Sequence, residues 1–202
     1  LNISPLAKSH VHPTELTVKE IAKIVNDFKS AAGRVKAAGF DGVEIHAAHG
    51  YLLNEFYSPL TNKRFDEYSG HTMEGRCKMI CDVIKAVREE VGPDFLVSLR
   101  FGACDYKIKG SIATEAVIVV KEFMKAGVDM IDLSGGMCGF ENPYSKKPGY
   151  FGDVATEIKT NIGVPLCLTG GIKTAKDAND ILETGIADFI GFGRAAIKDK
   201  NW

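Results

Sequence analysis

No stretch of this 202-residue chain approaches the ~20 consecutive apolar residues needed to span a bilayer, and its first residues do not read as a signal peptide. Charge of one sign is also missing. Twenty-five basic side chains stand against 26 acidic ones, a formal net charge of −1, so neither nucleic acid nor an anionic membrane is expected as a partner. Cysteine is sparse and unpatterned: Cys77, Cys81, Cys104, Cys138 and Cys167 are odd in number and show no Cys-x-x-Cys spacing. Cys77 and Cys81, four apart on an expected helix, line one face and read as packing. No metal site is expected, and a reduced, cytoplasmic compartment fits best.

What is present is ordinary for a soluble globular chain, 45% apolar and 25% charged. The chain begins at Leu1 and stops at Trp202 shortly after its last expected strand, which reads as a piece of something longer. Residues 1–16 are irregular, with Pro5, Pro13 and two histidines, His10 and His12, expected to face solvent. Thr17 then opens a helix with Glu20 as its capping-box partner. Val18, Ile21, Val25, Phe28, Ala32 and Val35 recur at helical spacing before Gly39 ends it.

Further helices are expected at about 74–90, 113–125 and 154–161, with another capped by Thr174. Strands are expected at Val43–Ile45, 95–101, 128–133, 164–168 and 188–192. Residues 50–73 read as a long loop, and the glycine-rich 134–152 stretch as a mobile one. The junctions Ala38-Gly39-Phe40-Asp41, Ala126-Gly127-Val128-Asp129 and Thr184-Gly185-Ile186-Ala187-Asp188 repeat one helix–glycine–strand pattern. Five near-continuous apolar strands, each preceded by a helix, imply a parallel sheet covered by helices.

Two architectures compete for that pattern. Gly191-Phe192-Gly193-Arg194-Ala195-Ala196 matches the dinucleotide fingerprint, but it leaves no room for a following helix, second strand and ribose-binding acid. In a TIM barrel, phosphate binds on the loops after the last two strands and a short helix N-terminus. Leu168-Thr169-Gly170-Gly171-Ile172 and Phe192-Gly193-Arg194 would be those loops. Gly170, Gly171 and Gly193 let backbone amides approach the phosphate, and Arg194 adds a charge-assisted bond. The strand at residue 43 is then the fourth of eight. The expected fold is an α/β TIM (β/α)8 barrel with only about five units, strands 4–8, in residues 1–202; a complete barrel runs ~250 residues.

That fourth strand ends in His46 and His49, followed by Tyr51. Side chains alternate along a strand, so the two imidazoles share a site only if the backbone leaves extended geometry at Ala47 and Ala48. Arg100, in an otherwise apolar strand, needs an anionic or acceptor partner: a ligand, or an internal pair with Glu44 or Asp132.

His46-Ala47-Ala48-His49-Gly50-Tyr51-Leu52, with Ser58-Pro59-Leu60-Thr61-Asn62-Lys63-Arg64-Phe65-Asp66-Glu67-Tyr68-Ser69-Gly70, resembles the strand-four signature of the Old Yellow Enzyme family. These are FMN-dependent ene-reductases, and the resemblance extends to multidomain relatives of the 2,4-dienoyl-CoA reductase type. It implies a ping-pong reaction in which NADH or NADPH reduces FMN and hydride passes to the β-carbon of a small-molecule enone or enoyl substrate. His46 and His49 would hold the carbonyl oxygen, Tyr51 would protonate the α-carbon, and Arg100 would lie against the flavin N1–O2 edge. Arg64, Asp66 and Tyr68 fix the loop on this reading. Arg76 is structural, and Gly75 stands where the family carries asparagine. An iron–sulfur cluster would belong only to a longer parent.

Two other readings stay open. A phosphate-binding barrel isomerase or aldolase wants a lysine or a carboxylate pair at strand ends, and no strand end here offers a lysine. An inert fragment would expose two sheet edges and half a flavin site, and could self-associate as a homo-oligomer.

Overall fold

The computed structural model describes residues 14–199, so the expectations for Pro5, His10, His12 and Pro13 lie outside the described residues. Helix α1 (Val18–Ala37) starts on the expected capping box: the Thr17 hydroxyl accepts the Glu20 N–H at 3.2 Å, and the Glu20 carboxylate accepts the Thr17 N–H at 2.8 Å. Gly39, at φ 84°, turns the chain into β1 (Gly42–Ala47). The remaining elements are α2 (Leu52–Tyr57), α3 (Met73–Val91), β2 (Leu96–Cys104), α4 (Ala113–Ala126), β3 (Met130–Gly135), α5 (Gly152–Lys159), β4 (Leu166–Thr169), α6 (Ala175–Glu183), β5 (Phe189–Gly191) and α7 (Arg194–Lys198). Among the described residues no helix is long and apolar enough to cross a membrane.

Two elements depart from the sequence expectation. Residues 50–73 are not loop throughout, because α2 buries Leu53, Phe56 and Tyr57 within six residues, too few for a helical period to show. The end of the chain does have room for a helix, the five-residue α7. Strands β3 and β4 also begin two residues later than expected. The repeated junction explains part of that shift. The Asp129 carboxylate accepts the Val97 N–H at 2.8 Å, and the Asp188 carboxylate accepts the Leu166 N–H at 2.7 Å. Each aspartate thus secures the start of the preceding strand before its own begins.

The sheet is parallel, in the order β1-β2-β3-β4-β5, with the histidine strand at one edge and the strand before Arg194 at the other. One face carries Ile45, Ala47, Val97, Leu99, Phe101, Ile131, Leu133, Leu166 and Leu168, all buried within the core shared with the helices. Each fully buried aliphatic side chain there contributes roughly 1.5–3 kcal/mol of transfer free energy. The opposite face carries Glu44, His46, Ser98, Arg100, Asp132 and Cys167, which register pairing places side by side.

The segment between α2 and α3 is fixed by its own polar residues. Asn62 donates to the Phe56 and Tyr68 carbonyls at 2.8 Å each, Arg64 pairs with Asp66 and donates to the Leu16 carbonyl, and the Tyr68 hydroxyl meets Asp82 at 3.0 Å. Arg76 is held in the same structural role. It donates to the Tyr57 carbonyl at 2.7 Å and to both Glu115 oxygens at 3.0 and 2.9 Å, with its guanidinium over the Tyr57 ring. A Cβ at Gly75 would overlap the Ser69 backbone, so here the departure from asparagine is a packing requirement.

Candidate active site

The chain leaves extended geometry where the sequence required it to. β1 ends at Ala47, and His49 takes a left-handed backbone, φ 62°, a conformation that costs a non-glycine residue about 1–3 kcal/mol. Its N–H is held by the Gly135 carbonyl at 3.1 Å, while Asn54 of α2 accepts the Gly50 N–H at 2.8 Å. Those two bonds sustain the strained turn. The result is one cluster of rings: His46 lies 5.2 Å from His49 and 5.3 Å from Tyr51, centroid to centroid. Tyr51 is 41% exposed, its phenol without a hydrogen bond to the described residues and open to an incoming molecule.

Ser134, at the end of β3, belongs with this cluster: its Oγ is 2.7 Å from His49 Nε2. Burial, then Arg100, then His46 push the His49 imidazole down to about 4; burial and Arg100 also lower His46. At neutral pH His49 is therefore uncharged, with one N–H to donate. If the Ser134 hydroxyl donates to Nε2, that proton sits on Nδ1.

A stability consequence follows from the sign of this shift. The unfolded chain takes up the proton first, so the contribution is present above about pH 6.5 and is lost as pH falls toward 4. Discounted for partial exposure, the loss amounts to about 1–2 kcal/mol. His49→Gln should show a flatter stability profile across that window in urea unfolding. A profile parallel to that of the unaltered protein would contradict the neutral imidazole.

Arg100 sits in register with His46 on β1 and with Asp132 on β3. Of its two neighbouring carboxylates it takes Asp132, with Nη1 2.6 Å from Oδ2, whereas Glu44 accepts from Ser98 Oγ at 3.0 Å. The Asp132 bond is its only hydrogen bond to the described residues. The remaining guanidinium N–H groups, on a side chain 27% exposed, stay available to an acceptor.

The two glycine loops follow β4 and β5, whose ends pair as Thr169 with Gly191. Gly170 and Gly171 have φ of 117° and 67°, and a Cβ on either would strike the Tyr150 ring at 2.6 and 2.9 Å. Gly193 faces open space. Arg194 lies 3.5 Å from Glu141 and stacks 5.5 Å above the Phe140 ring, which in turn sits 6.4 Å from His49. Phe140 therefore links the histidine cluster to Arg194. The stretch that carries it is tied by the Tyr150 hydroxyl to the Phe140 carbonyl at 2.5 Å and by Asn142 to the Tyr150 carbonyl at 2.6 Å. Nothing in the sequence marked Phe140 or Glu141. Ser134 had a weak signal, a hydroxyl at a strand end followed by two glycines.

A family model described as NADH:flavin oxidoreductase / NADH oxidase matches residues 3–202. The chain belongs to this family. It is the family whose signature the histidine strand resembled, and FMN with NADH or NADPH are the cofactors that membership brings. Among curated relatives, an NADH oxidase of Thermoanaerobacter brockii is 36% identical across 99% of this chain and 32% of its own length. An NADPH dehydrogenase of Bacillus licheniformis is 40% identical across 98% of this chain and 57% of its own. The chain thus spans about a third to just over half of these relatives.

Two solved structures share the fold. A 2-naphthoyl-CoA reductase complexed with 2-naphthoyl-CoA superposes with TM-score 0.87 at 27% identity, over 97% of this chain and 30% of that one. Morphinone reductase with tetrahydroNAD gives 0.74 at 29% identity, over 92% and 49%. The five βα units are those of a TIM-barrel oxidoreductase fold. Two guanidiniums have the chemistry an anionic cofactor needs: Arg100, with unused N–H groups on the sheet face away from the core, and Arg194, which directly follows Gly193 after β5.

Proposed function

We propose that residues 1–202 form strands four to eight of an FMN-binding barrel whose full-length protein reduces the C=C bond of α,β-unsaturated carbonyl compounds with NADH or NADPH. The observation that carries this reading is the ring cluster of His46, His49 and Tyr51, with Arg100 in register beside it. FMN, when bound, supplies the hydride chemistry. Arg100 would meet its acceptor edge, and Gly170, Gly171, Gly193 and Arg194 its phosphate.

The chain's own residues do the rest. As hydride reaches the β-carbon of an enone, negative charge gathers on the carbonyl oxygen. Donors already fixed there, one N–H from each imidazole, stabilise that charge without reorganising. A neutral imidazole suits the task because its proton is held and its position is set by Ser134 and the Gly135 carbonyl. Tyr51 gives the α-carbon its proton.

The test is a full-length protein purified without added cofactor and assayed with NADH, NADPH and a simple cyclic enone. It should be yellow and should consume the enone. Arg194→Ala should weaken FMN retention by about 1.5–3 kcal/mol, the value of one charge-assisted bond. Unchanged retention would remove the phosphate role from Arg194, and a colourless protein with no affinity for FMN would remove the whole reading.

A further inference from the structure

One carboxylate near the site has no part in the chemistry just described. Asp132 of β3 is only 6% exposed, and its Oδ1 has no hydrogen-bond partner. Oδ2 accepts from Arg100 Nη1 at 2.6 Å. A buried carboxylate with an unused oxygen is costly, and an asparagine could accept the same single bond from Arg100 at less cost. The negative charge is what asparagine would not supply. Its neighbours point the same way: His46, Arg100, Asp132 and Cys167 form one register row across β1 to β4, so the carboxylate stands beside the guanidinium on the next strand.

We propose that Asp132 is a positioning residue that holds Arg100 by one N–H and sets the net charge this pair presents to the flavin. The inference rests on the FMN reading above. With Asp132 ionised the pair is neutral overall, and Arg100 offers directed N–H donors more than a free positive charge. With Asp132 protonated, the charge of Arg100 is uncompensated and favours the more negative, reduced form of the cofactor. The charged and titratable groups facing Asp132 are Arg100 from β2, Glu44 from β1 and Cys167 from β4. Burial is the largest influence and, with Glu44, outweighs Arg100, pushing the Asp132 carboxyl up to about 6. The carboxylate thus changes state between the two pH values at which the pair can be compared, ionised at pH 7.5 and protonated at pH 5.

The experiment uses the full-length, flavin-loaded protein and its Asp132→Asn and Asp132→Ser variants, the second in case asparagine disturbs folding. The two-electron midpoint potential is read at pH 7.5 and pH 5 by equilibration with reference dyes. At pH 7.5 either variant should favour the reduced cofactor by about tenfold, which is about 30 mV for a two-electron couple. At pH 5, where Asp132 of the unaltered protein takes up its proton, the difference should shrink toward zero. A purely structural carboxylate would change the unfolding temperature and leave the potentials coincident, and that result overturns the proposal. A protein that binds no FMN overturns the cofactor reading itself, so the two failures are distinguishable.

Discussion

Tyr51→Phe should slow alkene reduction by ~10²–10⁴-fold, the range for loss of a positioned proton donor, while flavin reduction by the nicotinamide proceeds nearly unchanged. The asymmetry follows from where the phenol stands. It immediately precedes α2, 41% exposed, with its ring against His46 and no hydrogen bond from its hydroxyl to the described residues. Phenylalanine keeps the ring contact and removes only the hydroxyl that carries the proton. Folding should therefore be untouched, and any lost activity belongs to chemistry. Stopped-flow measurement of the two half-reactions separates them. Equal slowing of both would mean that Tyr51 positions the cofactor or the substrate and does not deliver the proton.

Arg100→Met carries the largest expected effect on stability. It leaves Asp132 buried beside a thioether, and breaking a buried pair from one side costs roughly 3–5 kcal/mol; partial exposure of Arg100 places this case near the lower end. The loss should depend on pH with a definite sign. Asp132 already has its carboxyl raised above its ordinary range, and Arg100 is the neighbour that opposes the rise. A raised folded-state pKa means stability that is present at low pH and lost as pH rises through it. Without Arg100 that pKa climbs further, so the variant should recover much of its deficit between pH 7 and pH 5. Urea unfolding at both values decides the matter. A deficit equal at the two would mean the pair's charge plays no part and only packing was lost.

The parts of this molecule that were legible in the sequence are those encoded by neighbours in the chain. Thr17 and Thr174 each begin a helix with a capping box because the partner lies three residues away. His46, His49 and Tyr51 could be joined in advance because a single backbone turn brings them together. Helix α2 and helix α7 are too short to display a period. Ser134, Phe140 and Glu141 are hidden for a different reason: they reach His49 and Arg194 across 85, 91 and 53 residues of sequence, and no local pattern records such contacts. The sequence pattern at Gly170 and Gly171 leaves room for a phosphate. Their left-handed backbone and the Tyr150 ring give a second reason for them, one that operates with no ligand bound.

The strand order has a consequence for how the chain is made. Each strand of the sheet pairs with the one synthesised just before it, so spatial order and order of translation coincide. As a new strand leaves the ribosome, the edge it needs precedes it in the chain: α2 and α3 lie between β1 and β2, and one helix lies between each later pair. Within this five-strand sheet no strand pairs with a distant mate. Growth of this kind keeps every pairing in the sheet between neighbours in the chain, so the loops to be closed are those a parallel crossover requires and no longer. The edge facing the tunnel is then the place where a pause in translation would be felt, and a chaperone arriving during synthesis would find its exposed backbone there.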